Sequence, residues 1–261
     1  MKFITAALYC LIIIFSINNA WAAVSANKKP LIIKVGVVHF PPYIEVEPNG
    51  KTGGIIIELL DFMNTAQSDY KFSPVQTSAM RKIRDFKNGS YDLSFFDNIK
   101  WGWSEADVEA SLIFMRGKEV YIAKKKPGRT EDYFTNFNGK SMVGMLGYHY
   151  GFANFNADAD FLRKTYNMQA STSNEGSVKM ILHDRGDIAV VSDAFLHWYF
   201  ISNPEDRTKI LISNKVDQHY MLSVIVRKNI RPTVQEINTL LNKFKKSKQF
   251  KSMEDRYGIA P

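Results

Sequence analysis

The sequence contains almost no cysteine: Cys10 is the single one among 261 residues. Because Cys10 lies in an apolar N-terminal stretch, we expect no disulfide and no thiol chemistry in the rest of the chain. The five histidines are scattered, and none has the spacing of metal ligands near a carboxylate. The sequence also contains no Walker loop, no G-x-S-x-G elbow and no dinucleotide fingerprint. We therefore expect neither a metal nor a cofactor.

The N-terminal segment, residues 1–22, has the features of a secretory signal peptide. Lys2 supplies the positive start, an apolar stretch runs to Ile17, and "AWA" fits the rule for cleavage between small residues. The apolar stretch is shorter than the ~20 residues of a membrane-spanning helix. Cleavage is therefore favoured over a membrane anchor. We expect a periplasmic protein that begins near Ala23, with no stable insertion into the membrane.

Positive charge is in excess, with 34 Lys and Arg against 26 Asp and Glu and a net charge of +8. Such an excess raises the question of a nucleic acid or an anionic membrane surface as partner. The densest basic run, residues 242–258, alternates lysines with Phe244 and Phe250. That spacing is typical of a solvated helix face above a buried aromatic stripe. Since the charges form no continuous stripe and the chain is exported, we expect no nucleic acid partner.

β-Branched runs alternate with amphipathic stretches along the chain. "LIIKVGVV" at 31–38 predicts a buried strand, and "IIIELLDFMNTA" at 55–66 predicts a helix. The order strand, helix, strand occurs twice, around 31–96 and around 141–192. Such alternation predicts an α/β architecture with mostly parallel sheets.

Several short motifs follow one another in a characteristic order. "VGVVHFPPYIE" contains a proline pair and Tyr43, and "NGKTGGIIIELLDFM" joins glycines to a helix that carries Glu58. "RDFKNGSYDL" and "DRGDIAVVSDA" are similar junctions between a helix and a strand, and "FKSMEDRYGI" is a closing helix. In order and spacing these motifs resemble solute-binding protein family 3, the periplasmic binding proteins for polar amino acids. Glu58 stands where that family usually has aspartate.

The resemblance implies the type II periplasmic binding protein fold, in which two α/β lobes are joined by two crossing hinge strands. The first lobe would comprise residues 23–121 and 223–261, and the second lobe residues 122–222. A small-molecule ligand would bind in the cleft, where loops at the carboxyl ends of strands meet. Closure of the lobes would then trap it. An ABC permease is the further partner that the resemblance implies.

Both ligand anchors of the family are altered in this sequence. The arginine that clamps the ligand's α-carboxylate falls at Ser104, or at Asp107 with a loop three residues longer. The aspartate for the amino group falls at Ser192, one residue before Asp193. Asp193 is either a shifted anchor or the N-cap of the next helix. Without the bidentate arginine, we expect a ligand other than an ordinary α-amino acid. "SEAD" at 104–107 instead predicts a capping box.

Trp101 and Trp103 flank one glycine beside the vacated arginine position. They either pack the loop onto its lobe or form an aromatic wall for a ring or a cation. Arg116 is either the nearest replacement cation for an acidic ligand or a residue that only faces solvent. The other candidate ligand-binding residues lie near strand ends and in loops expected to face the cleft: Tyr43, Asp97, Asn98, Tyr148 and Asp193, with Tyr150 as a further aromatic.

Three functions fit these observations. The first is capture of a small polar, aromatic or cationic solute for an ABC transporter. The second is a ligand-sensing module without transport. The third is a dehydratase like the periplasmic cyclohexadienyl dehydratases, with Glu58 or Asp97 as proton donor. Because the sequence shows no paired acid and base, we expect a binding protein rather than an enzyme.

Overall fold

The computed structural model describes residues 29–47 and 49–257. The predicted signal peptide and its cleavage site lie outside these residues. The strands are β1 (Leu31–Val37), β2 (Glu45–Val46), β3 (Thr52–Gly53), β4 (Tyr70–Gln76), β5 (Leu93–Asp97), β6 (Val108–Ala110), β7 (Met115–Lys124), β8 (Met142–Met145), β9 (Gln169–Ser171), β10 (Ile188–Ser192) and β11 (Ile210–Arg227). The α-helices are α1 (Ile55–Thr65), α2 (Lys82–Lys87), α3 (Ala159–Tyr166), α4 (Asn174–Leu182), α5 (Asp193–Ser202), α6 (Pro204–Arg207), α7 (Val234–Lys245) and α8 (Lys248–Tyr257).

The strands form a nine-stranded sheet in the order β4-β1-β5-β11-β7-β10-β8-β9, with β6 attached to β11. β1 is parallel to both β4 and β5, and β8 is parallel to both β9 and β10. Between these parallel groups lie β7 and β11, which pair antiparallel to each other. The long β11, 18 residues, also pairs with β5. Two parallel half-sheets joined by two long strands are the architecture that the sequence predicts.

Local patterning explains the first half-sheet and its helix. The β-branched residues Ile33, Val35 and Val37 of β1 are buried. α1 begins after Gly54, whose φ of 82° is accessible mainly to glycine. The face of α1 that packs on the sheet consists of Ile55, Ile56, Leu59, Leu60 and Met63. The strand predicted at 31–38 and the helix predicted at 55–66 are confirmed to within one residue.

The buried apolar side chains form separate cores on the two sides of the hinge strands. The first core combines β1, β4 and β5 with α1 and with the closing helices α7 and α8. Phe244 and Phe250 are buried there, as the alternating pattern predicts. Two further clusters lie between Val120 and Leu211, which covers most of the predicted second lobe. This division supports the boundaries at 121/122 and 222/223, which stay a prediction.

One local prediction is wrong, and one of the two alternatives for Asp193 is excluded. Residues 104–107 form a turn and no helix begins there, because Val108–Ala110 pairs as a short strand with β11. At the start of α5, the Ser192 hydroxyl accepts a hydrogen bond from the Phe195 amide at 3.2 Å. Ser192 is therefore the N-cap, and Asp193 is the first helical residue.

Within residues 29–47 and 49–257, none of the helices combines the length and the apolar character needed to cross a membrane.

Candidate functional site

A cavity of about 60 Å³ lies between the strand ends of the first half-sheet and a loop of the second. That volume holds a few water molecules. Both sides of the molecule contribute to its lining, which includes Phe40, Lys82, Ser94, Asp97, Trp101, Glu119, Tyr148, His149 and Gln218. The cavity therefore lies where the family resemblance places the ligand cleft.

Lys82 and Asp97 form a buried ion pair in the wall of this cavity. The Lys82 ammonium lies 3.0 and 3.2 Å from the two carboxylate oxygens of Asp97. The Ser94 hydroxyl and the Asn98 backbone amide also donate to this carboxylate, at 2.9 and 2.8 Å. Lys82 is 8% exposed and Asp97 is 4% exposed. Several hydrogen bonds to both charges offset the cost of removing the pair from water.

The two tryptophans lie around the ammonium group of Lys82, 5.5 Å from each ring centroid. The cation at their faces is thus one that the chain itself supplies. Gly102, with a φ of +85°, forms the turn between them.

The surroundings of Trp101 and Trp103 differ. Trp103 is buried in a separate cluster against Phe86, with ring centroids 5.0 Å apart. Trp101 is half-buried, lines the cavity and contacts Phe40 and Tyr220 edge-on. Loop packing therefore describes Trp103, while Trp101 remains available to a bound molecule.

A second buried carboxyl group, Glu119, lies in the hinge strands. Glu119 on β7 is the register partner of Gln218 on β11. The Gln218 side-chain amide donates to Glu119 Oε2 at 3.1 Å and to the His149 carbonyl at 2.6 Å. Burial is the main cause that raises the pKa of Glu119 to about 8, and the nearby carboxylate of Asp217 is the second cause. Glu119 is therefore mostly a neutral carboxylic acid at pH 7.

Sequence reasoning missed Glu119. It lies in "KEVYIAKKK", a segment predicted as a strand, and an acid next to buried apolar residues is unusual. That feature was the available signal. Its partners are contributed by distant segments.

Tyr148 connects the two sides of the cavity. Its hydroxyl donates to the backbone carbonyl of His39 at 3.1 Å, and its ring lies 6.2 Å from that of Phe40. Burial raises the pKa of the Tyr148 hydroxyl and lowers the pKa of the His149 imidazole. Both groups are therefore uncharged at neutral pH, and they add polarity to the cavity without adding charge.

Asp97, Trp101 and Tyr148 are the predicted ligand-binding residues that the structure brings together at the cavity. Asn98 is next to it, but its side-chain amide donates to the Met221 carbonyl at 3.0 Å and so ties the loop to β11. Trp103 belongs to the cluster described above. Their contacts with a ligand stay predictions.

The remaining candidates lie outside the cavity lining. Tyr43 is fully buried in the first core, 5.0 Å from the ring of Phe40. Tyr150 is buried in the second half, where its hydroxyl accepts a hydrogen bond from the Met145 amide at 2.6 Å. Arg116 is exposed on β7. Asp193 lies 3.9 Å from the ammonium of Lys118.

Glu58, the other acid considered for proton donation, is paired with Arg256 at 2.6 Å and does not line the cavity. Across residues 29–47 and 49–257, no group of three or more His, Cys, Asp or Glu is placed to hold a metal ion.

No protein-family model and no curated protein matches the chain. Solved structures do match it, at low sequence identity. One is the substrate-binding protein of an ABC uptake transporter from Streptococcus pneumoniae with bound histidine. It is 17% identical, with a TM-score of 0.70 over 87% of this chain and 92% of that one.

Two reconstructed ancestral proteins are also similar. An arginine-binding protein bound to arginine is 17% identical, with a TM-score of 0.66 over 88% of this chain and 99% of that one. An amino-acid-binding precursor of cyclohexadienyl dehydratase is 15% identical, with a TM-score of 0.64 over 87% and 95%. The chain has the two-lobed fold of these binding proteins. The fold predicted from the motif order is thereby confirmed.

Proposed function

We propose that the chain is a divergent member of solute-binding protein family 3 that captures a small solute between its lobes in the periplasm. The observation that carries this proposal is the cavity, to which the first half-sheet, the loop after β8 and both hinge strands contribute. Its wall combines aromatic rings with a few polar groups, the usual composition of a small-molecule site. Delivery of the solute to an ABC permease is the role that similar structures support.

The chemistry of the wall favours a solute with a ring or a cationic group over an ordinary α-amino acid. Among the residues described, no arginine lines the cavity. The one lysine of the lining is held by Asp97. An α-carboxylate would therefore lack the charge-assisted partner that amino-acid recognition needs.

Mass spectrometry of small molecules that co-purify with the periplasmic protein tests the proposal, followed by calorimetry with the solute it identifies. We expect Trp101→Ala to weaken binding about tenfold, because it removes one ring of the aromatic wall. Trp198→Ala is the matched control, since Trp198 packs near Phe195 in the second half and does not line the cavity. Absence of binding to any co-purified or screened metabolite contradicts the proposal. Micromolar binding of a simple α-amino acid contradicts the preference for other solutes.

An uptake experiment in cells distinguishes a role in transport from a role in sensing. If the protein feeds a permease, deletion of its gene lowers uptake of the identified solute, whereas a sensing module leaves uptake unchanged.

A dehydratase is the second candidate, and the neutral acid Glu119 is the observation that favours it. A carboxylic acid that keeps its proton at pH 7 meets one requirement of a proton donor. Prephenate and arogenate are the substrates to offer. If the unmodified protein converts either substrate and Glu119→Gln does not, the function is catalysis rather than solute binding.

A further inference from the structure

We propose that Glu119 is the group in the cavity that recognises the solute, and that it receives the ammonium group of a small organic amine without an α-carboxylate. This inference rests on the proposed function and names the class of solute.

The position of Glu119 is the first argument. It lies on β7 at the cavity wall and is 4% exposed, so a ligand group that reaches it leaves water behind. Its hydrogen-bond donor is the neutral amide of Gln218 at 3.1 Å. A carboxyl group held this way retains the capacity to accept further hydrogen bonds from a cation.

The balance of charge is the second argument. The Lys82 ammonium is engaged by both oxygens of Asp97, so the ion pair adds little net charge to the cavity. Ionisation of Glu119 then leaves one uncompensated negative charge. A bound ammonium neutralises that charge, whereas a bound carboxylate would add a second negative charge in a buried site.

The aromatic wall is the third argument. The rings of Phe40, Trp101 and Tyr148 lie along the same cavity. Aromatic faces attract organic cations, and most strongly where water is excluded. A carboxyl group beside aromatic rings fits an amine that also carries an apolar part.

Binding of an amine involves a proton. With Glu119 mostly protonated at pH 7, an entering ammonium stabilises the carboxylate, and the carboxyl O–H bond breaks with release of its proton to solvent. Other titratable or charged groups act on or near Glu119 from its own strand and from the elements around it. They are Tyr121 on β7, Asp217 and Tyr220 on β11, Asp193 after β10, Lys82 and Asp97 across the cavity, and Tyr148, His149 and Tyr150 in the adjoining loop. Of these, Asp217 is the one whose charge raises the pKa of Glu119.

Titration calorimetry with defined probes tests the inference. The probes are propylamine and benzylamine, the matched neutral 1-propanol and benzyl alcohol, and the anion phenylacetate. Titrations in two buffers of different ionisation enthalpy count the protons released. We expect the amines to bind with release of about one proton near pH 6.5, and their affinity to rise about tenfold per pH unit up to pH 8. The alcohols and phenylacetate should bind at least tenfold more weakly.

Glu119→Gln keeps the size and hydrogen-bonding capacity of the side chain but removes its ionisation. We expect it to abolish proton release and to weaken amine binding about 10- to 100-fold above pH 8. Glu58→Gln is the control carboxylate outside the cavity and should change neither quantity. If Glu119→Gln does not fold, the proton count and pH profile of the unmodified protein still decide.

Amine binding without proton release, unchanged binding in Glu119→Gln, failure of both amines to bind, or tighter binding of phenylacetate would each overturn the inference. Binding of an anionic or uncharged co-purified solute would overturn it and leave the proposed function standing. The absence of any solute, co-purified or screened, would overturn both.

Discussion

Two buried carboxyl groups in one cavity have opposite environments. Asp97, at the end of β5, accepts hydrogen bonds from the Lys82 ammonium, the Ser94 hydroxyl and the Asn98 amide. Glu119, on the hinge strand β7, accepts one from the uncharged amide of Gln218. The first group resembles a fixed structural ion pair, whereas the second avoids an uncompensated charge by keeping its proton. The comparison separates the acid that stabilises the wall from the acid that remains free to respond to a ligand.

Their positions in the fold differ as well. Asp97 and Lys82 both belong to the first half of the molecule. Glu119 and Gln218 lie on β7 and β11, the strands that connect the two halves. A change of charge at Glu119 would therefore fall on one of the two strands that join the half-sheets.

The largest expected effect comes from breaking the Asp97 pair. Lys82→Met removes the cation and leaves a buried carboxylate without its partner. Removal of one member of a buried pair typically costs about 3–5 kcal/mol of stability. Urea denaturation measures the loss.

The double variant Lys82→Met, Asp97→Leu is the matched control, because it removes both charges. It should recover most of the stability lost by Lys82→Met. A single variant as stable as the unmodified protein would show that Asp97 does not depend on Lys82.

The next effect concerns Glu119 and pH. A glutamate in the unfolded chain has its ordinary pKa of 4.5, whereas the pKa of the buried Glu119 is about 8. Between these values the folded state holds the extra proton, so a rise in pH favours unfolding. From pH 7 to pH 9 the free energy of unfolding should fall by roughly 1 kcal/mol.

The interval from pH 7 to pH 9 isolates Glu119 from the histidines. Burial lowers the pKa values of His39 and His149 from 6.5, so their contribution to stability rises with pH and is complete above that value. In Glu119→Gln the fall between pH 7 and pH 9 should disappear. The same slope in both proteins would show that another group is responsible.

Much of the fold was predictable from the sequence because its signals are local. The β-branched run of β1 and the apolar face of α1 each specify an element within a few residues. The phenylalanine stripe of Phe244 and Phe250 likewise predicts a buried helix face. In contrast, residues 104–107 carry a local capping signal that pairing with the distant β11 overrides.

The site was less predictable because its chemistry depends on pairing between distant segments. The sequence places Trp101 and Trp103 side by side, but the turn at Gly102 puts one at the cavity and the other in a core. Glu119 acquires its properties from Gln218, Asp217 and the burial that three segments create. Motif position indicated Asp97, whereas no periodic pattern indicates Glu119.

The smallest effect is expected at a third carboxylate, Glu58, which extends the comparison to the protein surface. Its partner Arg256 has a side chain that is 51% exposed, and the side chain of Glu58 is 32% exposed. Ion pairs of this kind contribute about 0.2–1 kcal/mol. Glu58→Gln should therefore lower the free energy of unfolding by no more than about 1 kcal/mol.

Salt distinguishes this exposed pair from the buried one. The small loss in Glu58→Gln should shrink further at high salt, because exposed charges are screened, whereas the larger loss in Lys82→Met should persist. Urea denaturation of both variants at low and high salt makes the measurement. A loss of several kcal/mol in Glu58→Gln would show that Glu58 contributes more to the free energy of unfolding than its exposure explains. A change in solute affinity would return Glu58 to the candidate site, although it lies outside the cavity lining.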